Sequence, residues 1–140
     1  MKKIFTLFAS LFFISWIGQA QTIQATNIRI SPVSGQTGQL RFDWTSGDGA
    51  NRIVIVKPFG VSYTPSGAAP GSNTNYGGGT DLGGGTKCVF NSATDGAGTT
   101  VTVSGVSGTV DYTVWVYEYT GTTYLLSQGL ENPQIGRAHV

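Results

Sequence analysis

Few residues in this chain could perform chemistry, and their spacing points away from it. There is one cysteine, Cys88, and one histidine, His139. His139 lies in the tail Ile135 to Val140, which the codons ATC GGA AGA GCA CAC GTC would encode. Those codons open a widely used sequencing adapter, so residues 135–140 are expected to be a read-through artefact and are set aside from fold reasoning. Without that imidazole, Ser-His-Asp and Cys-His catalysis and His-based zinc sites are excluded together. A lone cysteine forms no intrachain disulfide, and in Lys87-Cys88-Val89-Phe90 it reads as a small strand residue rather than a reactive thiol. The seven acids are dispersed and mostly beside turn glycines, where Asp serves turn geometry rather than glycoside hydrolysis. No catalytic residue, metal ligand or cofactor is therefore assigned, and the chain is not expected to be an enzyme.

Two other stretches invite a functional reading. The first is Gly77-Gly78-Gly79-Thr80-Asp81-Leu82-Gly83-Gly84-Gly85. The calcium-binding nonapeptide pattern fails because its first glycine would fall on Tyr76. A phosphate-cradling loop fails because Gly85-Thr86-Lys87 leads into a strand, not a helix. A flexible loop is the better account. The second is Trp115, Tyr117 and Tyr119, which alternation places on one side of a strand. Left open, they would form an aromatic ladder able to stack on sugar rings or receive a protein partner. The competing expectation, which is preferred, is that the long connection from Pro58 to Thr86 folds over them, with Phe59, Tyr63 or Tyr76 as cover.

The ends carry an address. Lys2 and Lys3 precede the apolar run Ile4 to Ile17, and Gly18-Gln19-Ala20 offers small residues for cleavage, so residues 1–20 read as a secretory signal. The run is short for a membrane span of ~20 residues and no second apolar stretch follows, so no span is expected after cleavage. Residues 21–134 then form one domain of 114 residues. Arg29, Arg41, Arg52, Lys57 and Lys87 face seven acids there, an excess of two negative charges. Nothing resembles the basic stripe of a nucleic-acid binder. The partners left open are other domains of the same chain, a surface protein or a glycan.

The elements that must position these residues are strands. Val110 to Tyr119 is β-branched or aromatic throughout except at Asp111 and Glu118. It is expected to be the central strand, with Tyr112, Val114 and Val116 on one face and Thr113, Trp115, Tyr117 and Tyr119 on the other. Leu40 to Thr45 alternates cleanly and turns Leu40, Phe42 and Trp44 to the core. Arg52 to Lys57 holds a continuous apolar run that suits a strand covered on both faces. Further strands are expected over Ile23 to Ile30, Lys87 to Asn91 and Thr99 to Val103, with a last one starting near Tyr124. The connection Pro58 to Thr86 is expected to hold one short edge strand near Val61 to Thr64, and Asp95 to Gly98 is expected to be a turn.

These residues resemble a fibronectin type III-like module of the kind found in exported proteins of Bacteroidetes-type bacteria. Trp44, at the end of Leu-Arg-Phe-Asp-Trp-Thr, stands where such modules place a core tryptophan. Val101-Thr-Val-Ser-Gly-Val106 followed by Gly108-Thr109-Val110-Asp111-Tyr112 is similar to the apolar pair, tight turn and corner tyrosine of the family, and Tyr112-x-Val114-x-Val116 to its penultimate strand. The resemblance implies an all-β, immunoglobulin-like antiparallel sandwich of about seven strands, with Trp44, Tyr112, Val114 and Val116 in its core. It also implies a non-catalytic spacer or interaction domain of a longer secreted or surface protein. The alternative is a carbohydrate-binding module attached to an extracellular enzyme, using the aromatic face.

Overall fold

A computed structural model describes residues 20–138. The expected signal segment 1–20 lies outside them except for Ala20, as do His139 and Val140. The described chain is all-β and antiparallel, with eight strands in two sheets. One sheet joins β1 (Thr26–Pro32), β2 (Leu40–Thr45) and β5 (Thr100–Val103) in the order β1-β2-β5. The other runs β4-β3-β6-β7, from β3 (Asn51–Pro58), β4 (Lys87–Asn91), β6 (Tyr112–Thr120) and β7 (Thr123–Tyr124). A last short strand, β8 (Gln134–Gly136), also pairs with β6.

Strand β6 is central because it is paired along both edges, by β3 from Pro58↔Tyr112 to Asn51↔Tyr119 and by β7 and β8 on the other side. Alternation turns Tyr112, Val114 and Val116 inward, against Leu40, Phe42 and Trp44 of β2 and Val101 and Val103 of β5. Val54, Val56, Val89 and Phe90 complete this cluster, and the Trp44 and Phe90 rings meet edge to face at 5.2 Å. Both faces of β3 are buried, from Ile53 to Val56, because β3 lies beneath the core on one side and beneath the long connection on the other.

Several local readings differ from what the sequence suggested. The first strand, expected over Ile23 to Ile30, spans Thr26–Pro32, because residues 23–25 bond to loops rather than to a neighbouring strand. Val61 to Thr64 forms no strand, because it lies across the sheet face rather than along an edge. Ser92–Asp95 is one turn of helix, α1, where only the following Gly-rich turn was expected. Asn91 caps it by accepting from the Ala93 N–H at 3.1 Å, and Gly96, at φ 89°, ends it. The stretch after Tyr124 leaves the sheet and returns only at β8. Residues 135–138, read from sequence as foreign, occupy the open edge of β6: Ile135 pairs with Thr113, Gly136 with Tyr112, and Ala138 is buried. The segment also makes side-chain contacts: Arg137 pairs with Asp111 at 2.7 Å, and a Cβ at Gly136 would meet Ile30.

Candidate functional site

The outer face of β6 gathers aromatic side chains beyond those of the inner core. Trp115 and Tyr117 stack at 4.9 Å with planes 4° apart, and Tyr119 packs beside Tyr124 at 5.3 Å. Ile53, Ile55 and Cys88 form the floor between them. Tyr63, Ala69 and Leu82, all from the connection between β3 and β4, pack onto this cluster. The connection therefore roofs the face. Tyr117 and Tyr119 are each only 3% exposed, and Trp115 alone of the three keeps partial access to solvent. The open ladder of Trp115, Tyr117 and Tyr119 is thus not the arrangement found. Of the cover residues the sequence suggested, only Tyr63 serves here: Phe59 is 64% exposed, and Tyr76 packs edge to face against Tyr112 at the inner core.

The roof is tied down by hydrogen bonds as well as contact. The Tyr119 hydroxyl donates to Asn91 Oδ1 at 2.7 Å, and Asn91 Nδ2 donates to the Pro70 carbonyl at 3.0 Å. The Asn73 N–H donates to the Cys88 carbonyl at 3.0 Å, which pairs the connection with the free edge of β4. Tyr76 and Thr74 exchange backbone bonds with Ser104, so the same segment also crosses to the first sheet. The Gly-rich stretch, expected to be flexible, is a built turn. Asp81 Oδ1 accepts from the Gly83 and Gly85 N–H groups at 2.8 and 3.1 Å, the Tyr76 hydroxyl donates to the Gly85 carbonyl, and Lys87 Nζ donates to the Gly79 carbonyl at 2.8 Å. Its glycines supply conformation, as Gly85 does at φ +83°.

Burial sets the acid-base character of this face. It pushes the Tyr117 hydroxyl well above its ordinary value, and it pushes Tyr124 and the Cys88 thiol up to about 12. All three are neutral near pH 7. Cys88 is 3% exposed and its sulfur lies 3.3 Å from the Phe90 carbonyl oxygen, which suits a packed residue rather than a nucleophile.

A second, polar cluster lies at one end of β6, and nothing local in the sequence announced it. Glu118 is fully buried. Its carboxylate accepts from the Gly47 and Gly49 N–H groups at 2.8 and 3.1 Å and pairs with Arg52 Nε at 3.0 Å. Every lobe of this buried charge is engaged, as its desolvation requires. Gln24 and Asn132 stand in for a missing strand between β7 and β8: Gln24 Oε1 accepts from the Glu118 N–H at 2.9 Å, while Asn132 exchanges two bonds with the Val116 backbone. Their amides mimic peptide groups along an otherwise unpaired edge.

The residues assigned to the core from sequence, Trp44, Tyr112, Val114 and Val116, lie together in the inner cluster. The Tyr112 hydroxyl accepts from the Ser107 N–H at 2.9 Å, five residues upstream. Among the described residues no three His, Cys, Asp or Glu side chains gather as a metal site would need, and no helix is long and apolar enough to cross a membrane. The wider comparisons add no name to this geometry: no family model matches the chain, and no curated protein does.

Proposed function

We propose that the chain is exported, with residues 1–20 as a cleavable signal, and that residues 21–134 form a non-catalytic, fibronectin type III-like sandwich. In this reading it serves as a spacer or interaction module of a longer secreted or surface protein. The observation that carries the reading is the roof over Trp115, Tyr117 and Tyr119, because the chain's own connection occupies the surface a ligand would use. The strand division supports the fold family: the first, second and fifth strands share one sheet, and the third, fourth, sixth, seventh and last share the other, a split of immunoglobulin-like type. Tyr112, bonded back to Ser107, supports it as a corner tyrosine. All of the conspicuous polar side chains of the β6 end bond to the scaffold itself.

Titration of the whole chain with a glycan panel, followed by tryptophan emission, tests this reading. The expected result is no saturable change. A saturable quench that disappears in Trp115→Ala would replace the spacer with a carbohydrate-binding module.

A further inference from the structure

The segment Gln21 to Ala25 belongs to no strand, yet side-chain and main-chain hydrogen bonds hold it along its length. It threads between the loop 46–49 and the stretch 125–132. The Asp48 carboxylate accepts from the Thr22 and Ile23 N–H groups, both at 2.9 Å, and from the Thr22 hydroxyl at 3.0 Å. The Asp48 N–H returns a bond to the Ile23 carbonyl at 3.1 Å. Gln21 Nε2 donates to the Thr123 carbonyl at 2.8 Å, and Gln24 Nε2 to those of Leu125 and Ser127. Gln24 and Ala25 are buried, and the Ala25 carbonyl accepts from Asn132 Nδ2 at 2.9 Å.

The walls of this passage are shaped for a polypeptide backbone. A Cβ at Gly47 would overlap the Ile23 carbonyl oxygen, and one at Gly129 would overlap the Ala25 carbonyl oxygen. Both glycines are needed because the segment's main chain passes where a side chain would stand. A flat side chain with a carbonyl and an NH2 group satisfies both the β6 edge and the 125–127 carbonyls, which selects glutamine at position 24. The buried position of Ala25, with no exposed surface, selects a residue of alanine size.

We infer that this passage, on the edge of β6, is a peptide-binding site, that its ligand is an extended peptide with glutamine followed by a small residue, and that residues 21–25 occupy it in cis. The inference goes beyond the spacer reading and does not rest on it. The chain would then carry a recognition site for its own leading segment, loaded by main-chain bonds as in strand addition.

The test weakens the resident segment while leaving the walls intact. A labelled peptide Gln-Thr-Ile-Gln-Ala, matching residues 21–25, is titrated into the native chain, into Gln24→Ala and into Gln24→Ala with Gly47→Val. The peptide should bind Gln24→Ala at least about tenfold more tightly than the native chain, whose site is filled. It should raise the melting temperature of that variant and do neither for the Gly47→Val double variant. If Gln24→Ala does not fold alone, folding on addition of the peptide but not of a scrambled one supports the site. Gln21→Ala, whose lost contacts are more exposed, provides the milder case. Equal binding of native and scrambled peptides by the weakened chains, or no binding by either of them, overturns the inference.

Discussion

The two faces of β6 are both apolar, the outer the more aromatic, but they are closed by different means. The inner face, Tyr112, Val114 and Val116, meets a regular sheet whose residues arrive in register from β2 and β5. The outer face, Trp115, Tyr117 and Tyr119, meets an irregular connection that reaches it with three side chains, Tyr63, Ala69 and Leu82, and an asparagine clasp. A sheet supplies repeated contacts from rigid neighbours, whereas a roof of this kind supplies a few contacts from a segment able to relax. The same strand chemistry thus yields a fixed core on one side and a softer cover on the other. An aromatic row in a sequence is therefore no evidence of an exposed platform until the longest connection has been placed.

The contrast can be broken most severely from the inner side. Trp44→Ala should cost about 3–5 kcal/mol, read as a shift in a denaturant melt, because no neighbouring strand can move in to fill the gap. Glu118→Ala should cost about 3 kcal/mol or more, since it strands Arg52 and two loop N–H groups in a buried site; a near-neutral result would show that water enters there. Tyr117→Ala, on the outer side, removes a ring of comparable burial. It should cost only about 2–3 kcal/mol because the roof can settle, and a loss equal to that of Trp44→Ala would erase the distinction between the two faces.

Smaller effects sharpen the picture. Tyr112→Phe keeps the packing and removes the acceptor of the Ser107 N–H, at about 1 kcal/mol. Native-like stability would mean that water or another group replaces it. At the β6 end, the backbone N–H groups of Ile23 and then Thr22 hold the Asp48 carboxyl below its usual range. A group depressed in the folded state adds stability above its unfolded value, near ~3.9, and loses it as pH falls through the folded value. The native chain should therefore lose stability more steeply than Asp48→Asn below about pH 4. Parallel acid limbs for the two would detach Asp48 from the N-terminal segment.

What could be read from sequence was whatever repeats locally. The alternation Leu40, Phe42, Trp44 and the dense run from Tyr112 to Tyr119 placed the two innermost strands and their inward residues, because a period of two is a property of the strand itself. The path of the β3–β4 connection could not be read. Its few apolar residues, Tyr63, Ala69 and Leu82, are spaced by the geometry of the face they cover and not by any period of their own. The polar end of β6 was hidden for a different reason. Gln24 meets Glu118 across 94 positions and Asn132 meets Ala25 across 107, so each residue looks like an ordinary surface amide until the fold brings its partner. The single helical turn at Ser92–Asp95 was masked by the stronger Asp-Gly turn signal that follows it.

The central claim is that the chain closes its own aromatic face. It is tested most directly by through-space NMR contacts in the whole chain, between the ring of Tyr63 or the methyl groups of Leu82 and the rings of Trp115, Tyr117 and Tyr119. Such contacts are expected in the native protein and should be lost, with greater solvent exchange of the Trp115 indole proton, in Tyr63→Ala. Absence of any contact from Tyr63 and Leu82 to the three rings, with Tyr117 and Tyr119 as accessible to a soluble probe as an exposed residue, would contradict it.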